Sequence, residues 1–141
     1  MALRGLSSAI SAAALIAVAP GHPAQAQPVD CNQAFSTVEL TACTREALER
    51  KNQQLRQAMQ AVAREAAATP GGTFQPIWTD SLTNVFKTTP DPLQQYEAFR
   101  AARNTACIYM NSLSLQGTGF GIFVANCEIK LTDVLLEKLG N

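Results

Sequence analysis

The sequence predicts an all-α fold, a small disulfide-stapled helical bundle of three to four helices with one long N-terminal helix. Apolar residues recur at steps of three and four through most of the chain, which is the spacing of one helix face. No run of alternating polar and apolar residues with β-branched enrichment competes with this pattern. Cys31, Cys43, Cys107 and Cys127 are the only cysteines, and an even count is typical of a disulfide framework in a small exported chain.

Residues 1–26 have the pattern of a secretory signal peptide. Arg4 is the only charge of a short start, an uncharged apolar run occupies residues 10–19, and the small-residue sequence Ala24-Gln25-Ala26 follows. The apolar run is shorter than the roughly 20 residues that span a bilayer. A buried core helix is the alternative, and it is disfavoured because all three parts of a signal peptide occur together. We expect cleavage after Ala26.

Removal of this leader leaves residues 27–141, enough for a single domain. An acylated lipoprotein is a second possibility, since Cys31 lies near the new N-terminus. The charged Asp30 before it argues against a lipid-attachment signal, which uses a small residue there. We therefore expect a periplasmic or secreted protein with no membrane span in its mature form.

The first half of this domain is predicted to be one long helix. Ser36 and Glu39 have the spacing of a capping box, and the sequence Thr69-Pro70-Gly71-Gly72 ends the helical pattern. Lys51 and Asn52 interrupt the apolar stripe. They are interpreted either as a polar contact for a partner or, as we favour, as a wide spot where the face rotates towards solvent or an Asn that bonds across a helix pair. The predicted inward residues are Leu40, Cys43, Ala47 or Leu48, Leu55, Met59, Val62 and Ala66.

Three further helices are predicted, over about residues 77–87, 92–112 and 121–139. Asp91 and Pro92 mark the start of the second of them. Trp78, in the first, is interpreted as a core residue, with an exposed binding anchor as the alternative. The residues expected to face inward on the helix over 92–112 are Tyr96, Phe99, Ala102, Ala106, Met110 and Leu113. Those expected to face inward on the helix over 121–139 are Val124, Cys127, Leu131, Leu135 and Leu139, and those expected to face outward are Glu128, Lys130, Asp133 and Lys138.

Four cysteines permit three disulfide pairings. The predicted helices favour the sequential one, because a short fold-back joins Cys31 to Cys43, while Cys107 and Cys127 flank a turn between antiparallel helices. A crossed pairing that ties the first helix to the last two is the alternative. A redox function is disfavoured because no C-x-x-C motif is present.

Composition excludes several classes of function. The only histidine, His22, lies in the leader, so the mature chain has no Ser-His-Asp triad, Cys-His nucleophile or histidine zinc ligand. Without Arg4 it has ten basic and eleven acidic residues, and no basic stripe suggests nucleic-acid binding. We expect no catalytic residue, no cofactor and no metal site.

Several short motifs occur in a fixed order: Asp30-Cys31, then Val38-Glu39-Leu40 with Cys43, then Arg103 and Cys107, then Gly117, and finally Cys127 separated by four residues from Thr132. From about Asp30 to Leu139, this order resembles the LprI-like lysozyme inhibitor family. The chain departs from the family pattern at three positions. Asn104 replaces an acid, Phe99 stands where tryptophan is common, and Leu135 replaces an arginine, so any salt bridge between that acid and that arginine is lost.

The resemblance implies a protein partner, lysozyme, that is bound and blocked in the cell envelope. Basic groups or backbone N–H donors would complement the two carboxylates of a lysozyme cleft. A second hypothesis is a non-catalytic scaffold module without lysozyme affinity. The third and least favoured is a peptidoglycan hydrolase, since the glutamates that could act as its acids fit a solvated helix face; they are Glu39, Glu46, Glu49 and Glu65. The candidate partner contacts are Arg100, Arg103, Gly117, Thr118, Gly119 and Lys130.

Overall fold

A computed structural model describes residues 29–140 and confirms the all-α class, with no strand among these residues. The predicted signal peptide lies outside the described residues. The four α-helices are α1 (Thr37–Ala68), α2 (Phe74–Asp80), α3 (Pro92–Met110) and α4 (Phe120–Lys138). A π-helical turn at Ser81–Val85 continues α2, and a 3₁₀ turn at Ser112–Ser114 follows α3.

The predicted capping box begins α1. The hydroxyl oxygen of Ser36 accepts a hydrogen bond from the Glu39 N–H at 3.2 Å, and the Glu39 carboxylate accepts one from the Ser36 N–H at 3.0 Å. The hydrogen bonds that the Ser36 N–H and then the Ser36 hydroxyl donate to the Glu39 carboxylate lower the pKa of Glu39, because they favour its ionised form. The helix ends at Ala68, before the predicted Thr69-Pro70 stop, so its 32 residues extend about 48 Å.

The second helix begins earlier than predicted. It starts at Phe74 instead of Ile77, and Pro76 lies in its first turn, where a missing N–H breaks no helical bond. The π turn ends near Lys87, whose φ of 54° takes the chain out of the helix. Trp78 is half-buried on the face that α2 turns toward α1, so its interpretation as a core residue is correct only in part.

The core lies where α1 meets both α3 and α4. Leu55, Ala58, Tyr96 and Leu136 form the buried cluster, and the partly buried Met59, Phe99, Leu135 and Leu139 pack against it. Asn52 of α1 lies with Arg103 of α3 and Glu128 of α4, whereas the later Met59 lies with the earlier Gln95 of α3 and the later Leu139 at the end of α4. Therefore α1 is antiparallel to α3 and parallel to α4. Ala66 is buried near the end of α1, so α1 does not extend unsupported beyond the bundle.

The inward faces of α3 and α4 are rotated from those predicted. On α3 the buried residues are Tyr96, Arg103 and Cys107, whereas Ala102 and Ala106 are exposed. Alanine is compatible with either face, so it did not define the stripe. The buried residues of α4 are Val124, Glu128, Thr132 and Leu136, and the predicted inward Leu131 is exposed.

Both disulfides follow the sequential pairing, and the crossed alternative is wrong. Cys31 bonds to Cys43, which fixes the segment before α1 against its second turn. Cys107 bonds to Cys127, which joins the end of α3 to the start of α4. No helix within residues 29–140 combines the length and the apolar character needed to cross a bilayer.

Replacing Cys107 and Cys127 together by alanine should lower the free energy of unfolding by about 3 kcal/mol in the chain-entropy model. The loss should be smaller for Cys31 and Cys43, because their loop spans 12 residues instead of 20. Urea unfolding of both double variants measures the difference. Equal stability of the Cys107 and Cys127 variant and the parent would contradict the expected stabilisation.

A Glu39→Gln variant should be less stable than the parent at neutral pH and approach it in acid. Because folding lowers the pKa of Glu39, ionised Glu39 stabilises the fold above its unfolded pKa, and this is lost as the pH falls through the folded pKa. Urea unfolding at about pH 7 and about pH 3 measures the change. Glu65→Gln, on the same helix, is the control, and an identical pH response of both variants would refute the assignment.

Candidate functional site

Arg103 lies at the centre of a buried polar network that connects three helices. From α3, its Nε donates to the Glu128 carboxylate of α4 at 3.3 Å, and its Nη2 donates to Oδ1 of Asn52 of α1 at 2.9 Å. Its Nη1 donates to the hydroxyl of Thr132, which in turn donates to the Glu128 carbonyl at 2.7 Å. One guanidinium therefore fixes the relative positions of α1, α3 and α4.

The network satisfies its polar groups inside the bundle. Arg103 is 3% exposed, Glu128 6%, Asn52 4% and Thr132 0%. The Arg103 guanidinium also lies over the Phe99 ring, 5.5 Å from its centroid, in a cation–π arrangement. Within residues 29–140, no buried side-chain nitrogen or oxygen lacks a hydrogen-bond partner. The buried charges are thus both paired and hydrogen-bonded, as burial requires.

Arg103 was predicted to contact a partner, and the structure corrects that prediction. Its side chain is enclosed by α1, α3 and α4, so it is not available to another protein. The prediction that Glu128 faces outward is also wrong, because Glu128 is the buried counter-ion of Arg103. Of the two favoured interpretations of Asn52, the bond across a helix pair is confirmed, and the face rotated towards solvent is wrong because Asn52 is buried.

The other predicted contacts remain on the surface but do not share one site. Arg100 is exposed, pairs with Glu97 at 3.1 Å and lies 5.5 Å from the centroid of the Tyr96 ring. Thr118 borders a groove beside the first turns of α1. Lys130 is exposed on α4 and borders a different groove, between α4 and the end of α3.

Gly117 and Gly119 shape the turn before α4. The Gly117 N–H donates to the Ser114 carbonyl at 3.0 Å, and the Gly119 carbonyl accepts from the N–H groups of Ile122 and Phe123. A Cβ on Gly117 would come within 3.3 Å of the Ser114 carbonyl oxygen, which makes glycine the best fit there. These residues form the turn, as expected of glycines between two helices.

The groove beside Lys130 has a volume of about 510 Å³. Its walls are apolar side chains and amides with Lys130 as the single charge, and they comprise Met110, Asn111, Phe123, Asn126, Cys127, Lys130 and Leu131. No charged residue occurs between Arg103 and Glu128 in the sequence. Tyr109 is 81% exposed and Leu113 102%, so this end of the bundle presents apolar groups to solvent. The uncharged stretch of residues 104–127 is the feature of the sequence from which this apolar surface could have been predicted.

Residues 30–139 match the family model of the lysozyme inhibitor LprI. The matched range includes both disulfides, the four α-helices and the Arg103 network. The chain belongs to the LprI lysozyme inhibitor family. No curated protein and no solved structure matches it significantly.

This LprI family member has a buried ion pair between α3 and α4 that does not involve Asn104 or Leu135. The resemblance expects an acid and an arginine at those two positions, whereas the observed pair is made by Arg103 and Glu128. Asn104 is exposed on the outer side of α3. The two substitutions therefore leave the network that connects α1, α3 and α4 intact.

No group of three or more histidine, cysteine or acidic side chains within residues 29–140 is arranged to hold a metal ion. The cysteines in this part of the chain are all in disulfides.

Arg103→Met should lower the free energy of unfolding by about 3–5 kcal/mol, because it leaves the Glu128 carboxylate buried without its partner. Arg100→Met, the matched control on the same helix, should cost no more than about 1 kcal/mol because its ion pair is exposed. Adding Glu128→Met to Arg103→Met should recover much of the loss. Urea unfolding of the three variants measures this, and equal losses at Arg103 and Arg100 would contradict the buried network.

Proposed function

We propose that the mature chain, residues 27–141, is exported to the cell envelope and there binds and inhibits lysozyme. The observation that carries this proposal is the family match over residues 30–139. The two disulfides support an oxidising compartment outside the cytoplasm, and the signal-peptide pattern of residues 1–26 agrees with it.

The described geometry is suited to binding by a preformed surface. The Arg103 network fixes the three main helices, and the Cys107–Cys127 disulfide fixes the end of α3 against α4. An inhibitor that keeps its binding surface rigid loses little conformational entropy on association. Blockade of a cleft requires no chemistry from the inhibitor itself.

A hydrolytic activity is not favoured by the placement of the carboxyl groups. Glu97 and Glu128 border one groove on the α3 side. Glu97 is paired with Arg100, and the buried Glu128 is paired with Arg103. Glycoside hydrolysis needs one carboxylic acid and one carboxylate free to act on opposite sides of a bond, and this groove does not present such a pair.

A non-catalytic envelope interaction module without lysozyme affinity is the second candidate. The observation in its favour is the exposed, uncharged end of the bundle around Tyr109 and Leu113, because it suits a protein partner of any kind. The lysozyme proposal is preferred because the family match extends over almost the whole described chain.

The proposal predicts that the purified mature protein slows lysis of cell-wall substrate by at least one type of lysozyme at micromolar concentration. Lysis is followed by turbidity with several lysozyme types, each with and without the protein. Protein reduced and alkylated at its four cysteines is the control. Unchanged lysis by every type would refute inhibition and favour the interaction module, whereas turnover of peptidoglycan by the protein alone would revive the hydrolase.

A further inference from the structure

We propose that the groove between α4 and the end of α3 is the surface that covers the catalytic cleft of lysozyme, with Lys130 facing the cleft carboxylates. This inference rests on the proposed function and assigns its contact surface. The groove residues that the argument uses are Met110, Phe123, Asn126, Lys130 and Leu131.

Of the three basic residues first considered as contacts, Lys130 is the one that is both exposed and outside the ion pairs of residues 29–140. Arg103 is enclosed in the core, and Arg100 is already paired with Glu97. Lys130 takes part in none of the ion pairs formed within residues 29–140. Its ammonium can therefore pair with an acid of another protein without breaking an existing interaction.

The charges around Lys130 complement a pair of carboxylates. No acid borders the groove. The two nearby acids of α4 are occupied, since Asp133 pairs with Lys51 at 2.6 Å and Glu128 pairs with Arg103. A single positive charge on an otherwise neutral surface fits a cleft that contains two carboxylates. Such local complementarity favours the correct register of a complex.

The same charge disfavours a second copy of this chain as the occupant. In a two-fold symmetric dimer each partner uses the same patch, so both Lys130 ammonium groups enter one interface. The groove offers no acid to neutralise them. An acid-bearing partner is therefore the better match.

The apolar walls supply the remaining contact area. Met110 is 69% exposed and Phe123 49%, and aromatic residues and methionine are enriched at protein interfaces, where charged residues are depleted. Cys127 borders the groove and its disulfide to Cys107 fixes the two helices that form it. Phe123 and Met110 are thus placed as anchors on a rigid support.

The test measures the affinity of the full mature protein for the lysozyme that it inhibits best. Lys130→Glu and Phe123→Ser should each weaken binding at least about tenfold, because one introduces charge repulsion and the other removes an anchor. Lys138→Glu on the same helix and Phe86→Ser, at the residue after the distant π turn, are the matched controls and should bind like the parent. Circular dichroism melting of each variant establishes that it is folded.

Competition locates the contact on lysozyme. An N-acetylglucosamine oligosaccharide that fills the cleft should compete with the parent protein, and absence of competition would overturn the inference. Parent-like binding by folded Lys130→Glu and Phe123→Ser would also overturn it, while the proposed function would stand. Sedimentation of a parent dimer that Phe123→Ser dissociates would instead assign the groove to self-association. If the parent binds no lysozyme, the proposed function fails and this inference fails with it.

Discussion

The buried guanidinium of Arg103 is the interaction on which the positions of the main helices depend. It bonds to Asn52 on α1 and to Glu128 and Thr132 on α4, while its own backbone belongs to α3. The apolar cluster of Leu55, Ala58, Tyr96 and Leu136 lies next to it, but hydrophobic contacts alone permit many rotations of a helix. Directional hydrogen bonds restrict those rotations, which is why α3 and α4 turn polar residues inward.

In this LprI family member, the basic residue that holds the fold together differs from the basic residue that we propose binds the partner. Arg103, which belongs to one of the motifs of the family resemblance, is buried, and its charge is neutralised by Glu128. Lys130, only two residues beyond that acid on α4, is exposed beside a groove with no acid in its walls. Two nearby positions of one helix thus serve the core and the proposed contact surface, and the Cys107–Cys127 disulfide fixes that helix against α3.

Helix number, the capping box at Ser36 and Glu39, and the disulfide pairing were predictable because they depend on local spacing. The rotation of α3 and α4 was not, because Arg103, Glu128 and Thr132 are inward polar residues whose partners lie on other helices. A sequence pattern assigns such residues to solvent until their partners are known. Asn52 was a partial exception, since its break in an otherwise apolar stripe suggested either a face turned towards solvent or an interhelix bond, and the structure shows the bond. The groove at Lys130 required the three-dimensional pairing of α3 with α4.

The claim that Arg103 is an interior structural residue and not a contact is tested most directly by NMR of its side-chain Nε–H group. Hydrogen exchange of this group is measured in the free mature protein and again with saturating lysozyme. The buried network predicts slow exchange in both samples and an Nε–H chemical shift that lysozyme leaves unchanged. Rapid exchange in the free protein, or a direct contact of the Arg103 guanidinium with lysozyme in the complex, would contradict it.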